Sequence, residues 1–393
     1  MFDGLEMGIF PLIARPALQE MQAGAGVVGE AYVGQWMGTI TAMFLVGAAL
    51  GGLVFGWMGD KIGRVRAMSF AILVYSVFTA LAYFVRTPLQ LGALRFIAAL
   101  GMGGEWSLGV ALVAEVWPEK HRPILAGVIG AAANVGFIVI AVVAVFFPIT
   151  TASWRNVVLI GAAPALLTFM IQWWVPESHR WQAVAATGQL QPLRELLRGG
   201  NLKVLLIAAG LGGVALVGSW GSVQWLPLWA DRMTGGTNPD AKAFTQVLNG
   251  VGSVIGCLAG AWLGQRLGRR AAYFALCASS FVVCQWMFRG IGSYGATFLT
   301  ASFLSGVVTA SFYGWLPLYL PELFPTRVRA TGQGIAFNLG RIVAAVGALQ
   351  MGSLMQTFGG SYARAGAVIT LVYLVGLGLI WFVPETKGRP LPA

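Results

Sequence analysis

Charged residues are scarce in this chain. They make up 10% of its 393 residues, where a soluble domain carries about a quarter. With 57% hydrophobic residues and a mean hydropathy of +0.75, that scarcity excludes a soluble globular protein and points to one embedded in lipid. Acids are scarcer than bases, 14 against 25, for a formal net charge of +11. A nucleic-acid binder would gather such an excess into a basic stripe interleaved with aromatics, and there is none, so no nucleic-acid partner is expected. Histidine is limited to His121 and His179, both in loops, which excludes a histidine metal site or proton relay inside the membrane. Cys257, Cys277 and Cys284 lie in apolar runs without pairing or metal spacing and read as small buried apolar residues. No Walker sequence occurs, so ATP is not the expected energy source, and no cofactor is expected.

What is abundant is apolar sequence in long runs. Twelve segments, roughly 1–22, 34–57, 67–85, 89–116, 123–147, 154–175, 202–229, 243–264, 271–289, 295–320, 331–355 and 361–383, mostly approach the ~20 residues that a helix needs to cross hydrocarbon. The first is irregular: MFDGLEMGIFPLIA reaches Arg15-Pro16 early, with nothing preceding it on the near side. Either the helix continues through 17–22 or the chain begins upstream, and the second is the expectation here. A cleaved signal peptide is not expected, because there is no basic n-region. Glycines cluster at small-xxx-small spacing (Gly47/Gly51/Gly52, Gly127/Gly130, Gly252/Gly256/Gly260) and read as close helix contacts. Gly101, Gly103 and Gly104 are read instead as a flexible turn beside Glu105.

The chain repeats itself. GWMGDKIGRVR (56–66) returns as AWLGQRLGRR (261–270), so that Gly59, Asp60, Lys61, Gly63 and Arg64 map onto Gly264, Gln265, Arg266, Gly268 and Arg269 at an offset of 205. EVWPEKHR (115–122) answers ELFPTRVR (322–329) at 207, and PESHR (176–180) answers PETKGR (384–389) at 208. Three echoes at nearly one offset indicate a tandem duplication. The halves are expected at 1–176 and 202–393, joined by a polar linker at 177–201. With loops assigned alternately, the side carrying these motifs holds 16 of the 25 bases and the other side 7, so the motif side is expected to face the cytoplasm.

These strings resemble the major facilitator superfamily of secondary transporters. GWMGDKIGRVR is similar to that superfamily's loop between helices 2 and 3. PESHRW, PETKG and the E-x-x-P-x-x-x-R loops are similar to its sugar-porter and metabolite:proton symporter branches. The resemblance implies an all-α membrane protein of 12 transmembrane helices in two pseudo-symmetric six-helix bundles, with substrate near the midplane between them. It also implies alternating access, with the motif loops acting as a latch on the cytoplasmic face. Gln265 in place of Asp60 makes any role of that acid asymmetric between the halves.

Ionisable groups inside hydrocarbon are costly and are therefore functional candidates. Asp3 and Glu6 share a helix face, and two acids on one low-dielectric face cannot both ionise comfortably, as proton coupling requires. The DGLE string resembles the D-G-x-D/E of proton-coupled organic-acid porters. Arg95 and Glu105 lie about 15 Å apart along one helix and are not expected to pair. Glu105 reads as a proton carrier, a ligand for a cation or the partner of an arginine. Arg341, about 15 Å into its helix, would bind a carboxylate bidentately if it faces a cavity, with Asn338 adding a hydrogen bond; near the helix end it would merely anchor. Gln224, Trp225 and Tyr313 are candidate cavity residues from helices 7 and 10, which Pro227, Pro317 and Pro321 are expected to break or bend.

In the motif loops, Asp60 is expected to cap a helix of the opposite half. Arg64, Glu115, Arg122 and Glu177 are expected to form one ionic network, with Arg269, Glu322, Arg329 and Glu385 as its twin. The reading is a monomeric bacterial inner-membrane transporter, not an enzyme, with protons and a small organic acid as partners. Antiport of an organic cation or drug against protons, and uniport of a sugar, remain open. A nutrient sensor on the same scaffold would normally carry a long soluble extension.

Overall fold

The computed structural model describes residues 1–23, 30–147, 149–186, 196–197, 200–234, 238, 240–359 and 361–392. Among the described residues the regular structure is helical. The first half runs α1 (Phe2–Ala23), α2 (Glu30–Ile62), α3 (Arg64–Leu81), α4 (Pro88–Val116), α5 (Arg122–Phe146) and a broken sixth span, α6 (Trp154–Ile160) plus α7 (Ala165–Trp174). A short helix, α8 (His179–Ala185), opens the linker region, most of which lies outside the described residues. The second half runs α9 (Gly200–Trp220), α10 (Leu226–Met233), α11 (Asp240–Leu267), α12 (Arg269–Gly290), α13 (Ala296–Leu323), α14 (Arg329–Thr357) and a last span split into α15 (Tyr362–Ile369) and α16 (Val372–Leu379).

Nine described stretches are apolar and long enough to cross a membrane. The first span (α1), the sixth (α6 with α7) and the eleventh (α14) complete the set. Together they make the twelve-helix fold of two six-helix bundles. Phe70, Phe84, Phe146, Trp173 and Trp174 point outward, as apolar side chains do where the solvent is lipid. Polar and charged side chains are turned inward, Glu6, Asp60, Arg64, Arg329 and Asn338 being fully buried.

Several local expectations change. α4 is an unbroken helix through Gly101, Gly103 and Gly104. The expected flexible turn is therefore absent: a Cβ at Gly103 would sit 1.9 Å from the carbonyl oxygen of Ala48, so this glycine serves close packing of α4 on α2. Pro317 and Pro321 do not interrupt α13. The break in the seventh span precedes Pro227, which occupies the first turn of α10, where a missing N–H costs nothing.

Candidate functional site

The duplicated motifs lie where the two halves meet on one face. Gly63 and Gly268 have φ of +108° and +93°, left-handed turns open to glycine, and each launches the next helix. Glu177 accepts hydrogen bonds from the backbone N–H of Arg64 (3.0 Å) and Val65 (3.1 Å) at the start of α3. Glu385 accepts those of Arg269 (2.9 Å) and Arg270 (3.0 Å) at the start of α12. These two acids thus cap helix N-termini, where the exposed N–H groups favour negative charge; their hydrogen bonds go to backbone, not to the guanidinium network expected of them. Burial pushes the Glu385 carboxyl upward, but hydrogen bonds from the N–H groups of Arg269, Arg270, Lys387 and Thr386 outweigh it and hold the group below the usual glutamate range.

The ionic networks cross between halves. Arg64 donates to Asp60 Oδ1 (2.7 Å), to both oxygens of Glu115 (3.1 and 3.3 Å), to the Gly59 carbonyl (2.7 Å) and, across the interface, to the Thr326 carbonyl (3.0 Å). Arg269 repeats the pattern within its own half, on Glu322 (2.6 and 2.9 Å) and the Gly264 carbonyl (2.8 Å). Arg329, expected in the second network, instead reaches Glu115 Oε1 of the first half at 2.9 Å. The expectation of two separate twins is thereby corrected to one shared acid holding two halves. Asp60 Oδ2 accepts from the Thr331 N–H (2.8 Å) and hydroxyl in the first turn of α14, whereas its counterpart Gln265 is exposed. The side chain of Arg122 lies outside the described residues.

Nearer mid-membrane, Glu6 forms an ion pair with Arg95 and accepts from the Thr79 hydroxyl at 2.9 Å. The Arg95 guanidinium is flanked by the rings of Phe10 (5.1 Å) and Phe44 (5.0 Å). Glu6 and Arg95, both candidates for proton coupling, are thus partners of one another. Glu105 differs: its Oε2 is buried with no hydrogen-bond partner among the described residues, and Asp3, Glu6, the amino terminus and Tyr75 are the titratable groups around it. Asp3 bonds the amino terminus (3.2 Å) and the Gly4 N–H (2.7 Å).

On the facing half, Arg341 is buried, with Nη1 donating to Asn338 Oδ1 at 2.8 Å and its guanidinium 5.1 Å from the Phe337 ring centre. Asn338 is consumed in this scaffold, since its Nδ2 donates to the Gly334 carbonyl (2.8 Å) and, across the interface, to the Gly103 carbonyl (3.2 Å). Tyr313 shares a hydrogen bond with Ser219 and is a charge neighbour of Arg341 together with Asp3. Trp225 donates to the Trp220 carbonyl (3.3 Å), and Gln224 is exposed in the break of the seventh span. Two contributors escaped the sequence reading: Trp106, stacked on Phe337 across the interface with ring centres 3.9 Å apart, and Leu391, packed in a crevice against Val110, Ala114, Ala126, Pro317 and Pro321. Neither stands out in the sequence, because each acquires its role only from a neighbour in the opposite half.

A twelve-helix bundle whose two halves are tied by buried charges through duplicated loops is the architecture of a carrier, and comparison agrees. The Major Facilitator Superfamily model matches residues 7–348. The chain belongs to that superfamily. A putative metabolite transport protein of Haemophilus influenzae is 30% identical over 368 residues, covering 90% of this chain and 88% of that protein. The cis,cis-muconate transport protein of Acinetobacter baylyi is 27% identical, covering 90% and 86%. Among solved structures, the proton:xylose symporter XylE superposes with a TM-score of 0.79 at 17% identity, covering 99% of this chain and 95% of that one. As a superfamily member, this chain is an integral membrane transporter of small organic molecules and not an enzyme.

Proposed function

We propose that the protein is a proton-coupled symporter of a small organic carboxylate, which binds at Arg341 between the halves 1–176 and 202–393. One observation carries this reading. Among the described residues five arginines are buried; Arg64, Arg95, Arg269 and Arg329 each pair with a carboxylate, whereas Arg341 has none within ion-pair distance there. A guanidinium held by one hydrogen bond and lacking its acid is a receptor for an incoming one. The muconate carrier among the relatives is consistent with such a ligand.

Coupling follows from the cost of unpaired buried charge. Substrate neutralises Arg341, and a proton on Glu105, whose Oε2 has no partner, neutralises the second charge. A carrier loaded with only one of the two buries an uncompensated ion and does not rock. The motif face is taken as cytoplasmic by the distribution of bases, and one chain, acting as a monomer in a bacterial inner membrane, holds the whole path. The structure is then a state closed to the cytoplasm.

The test is proton flux into proteoliposomes on adding neutral sugars, mono- and dicarboxylates, aromatic acids or organic cations. The expected result is acidification inside with one acid class, abolished by Arg341→Ala. Alkalinisation with cations would instead support antiport centred on Glu105, which its unpartnered oxygen also favours. A labelled sugar that equilibrates without proton movement would replace the reading with uniport.

A further inference from the structure

The segment around Glu105 and the segment around Arg341 touch at two places. The Gly103 carbonyl, two residues before Glu105, accepts from Asn338 Nδ2 at 3.2 Å. Trp106, one residue after it, stacks on Phe337 at 3.9 Å and 15° between planes. Both partners then engage Arg341, Asn338 by its Oδ1 (2.8 Å) and Phe337 by its ring (5.1 Å). The contacts thus flank the acid on one side and converge on the base on the other. Room for them is built in: a Cβ at Gly52 would lie 1.8 Å from Asn338 Nδ2.

We infer that Asn338 and the Trp106–Phe337 stack are positioning residues that couple the state of Arg341 to the state of Glu105. The Asn338 amide has a single orientation that donates to Gly103 and accepts from Arg341 at once. When Arg341 turns its guanidinium toward a carboxylate, Asn338 Oδ1 loses its donor and the ring of Phe337 loses its cation. The amide and the stack are then free to shift, and both end on the backbone turn that carries Glu105. The groups facing Glu105 are Asp3, Glu6 with its partner Arg95, the amino terminus and Tyr75; those facing Arg341 are Tyr313 and Asp3. Coupling is reciprocal, so the protonation of Glu105 sets the freedom of Arg341 by the same contacts.

This inference rests on Arg341 as the substrate anchor, and its test is arranged to stand apart from that. Spin labels on the motif-side ends of α2 and α14 in the purified full chain report closure against pH, with no substrate present. Asn338→Ala and Arg341→Ala are each expected to move the midpoint in the same direction by about one unit, a tenfold change in proton affinity. The double variant is expected to move it no further. Trp106→Ala is expected to behave likewise, with Trp106→Phe restoring the wild-type midpoint by keeping a stacking ring. Additive shifts, an unmoved midpoint in Asn338→Ala, or a wild type whose closure ignores pH would each overturn the relay. A shared shift in a protein that binds no carboxylate would uphold the relay and sink the symporter reading. In proteoliposomes, Trp106→Ala is expected to keep counterflow within about twofold while proton-driven accumulation falls about tenfold. Equal loss of both would mark a merely structural residue.

Discussion

Glu115 bridges the two halves through Arg64 and Arg329, so Glu115→Gln is the most informative single change. Its carboxylate serves Arg64 and Arg329, one from each half, with all three side chains fully buried. The substitution keeps the shape and removes the charge. Arg64 retains Asp60 at 2.7 Å, and Arg329 keeps the neutral oxygens of Pro321 (3.2 Å), Thr326 (3.0 Å) and Pro392 (2.8 Å) among its partners. Removing one member of a buried ion pair costs about 3–5 kcal/mol. The neutral oxygens offset part of that, which leaves about 2 kcal/mol on the closed state. Once the halves part, Arg329 is hydrated and the penalty vanishes, so the open-to-closed ratio rises roughly 30-fold. Distances between spin labels at the motif-side ends of α2 and α14 measure that ratio, with thermal unfolding as the check on folding. A folded variant whose ratio stays within about twofold of wild type would refute the shared-acid latch.

Further expectations are smaller in scope. Arg341→Lys is expected to lower carboxylate uptake at least tenfold while leaving the fold intact, because an ammonium cannot present two parallel donors; uptake assays in proteoliposomes check this. Glu385 is held below its ordinary range, so the stability it contributes is complete above the usual glutamate pKa and lost as pH falls through the lower folded value. Acid unfolding followed by circular dichroism should therefore show a weaker pH dependence in Glu385→Gln than in wild type; identical profiles would contradict the cap. Leu391→Ala removes an apolar wedge from the crevice between α4, α5 and α13. It is expected to favour the motif-open state by roughly 1 kcal/mol, about fivefold, in the same label experiment. A change in unfolding temperature with no change in the ratio would assign Leu391 to packing alone.

Much of this protein is written locally. Apolar run length sets the spans, because hydrocarbon forces each to satisfy its own backbone, and spacing near a common offset shows the duplication without any contact being known. Gly63 and Gly268, with an acid supplied by PES or PET, follow from the same repetition. Charges too are legible as costly exceptions, which is why Glu6, Arg95, Glu105 and Arg341 stand out in α1, α4 and α14. Their partners are not legible. Arg95 belongs to Glu6 at a separation of 89 residues, Arg329 to Glu115 at 214, Asn338 to Gly103 at 235 and Asp60 to Thr331 at 271. An ionisable side chain in lipid must find a partner, and that demand is local. Which partner it finds depends on how two bundles meet, so the ion pairs crossing between halves, and the lack of a carboxylate beside Arg341 among the described residues, belong to the tertiary structure alone.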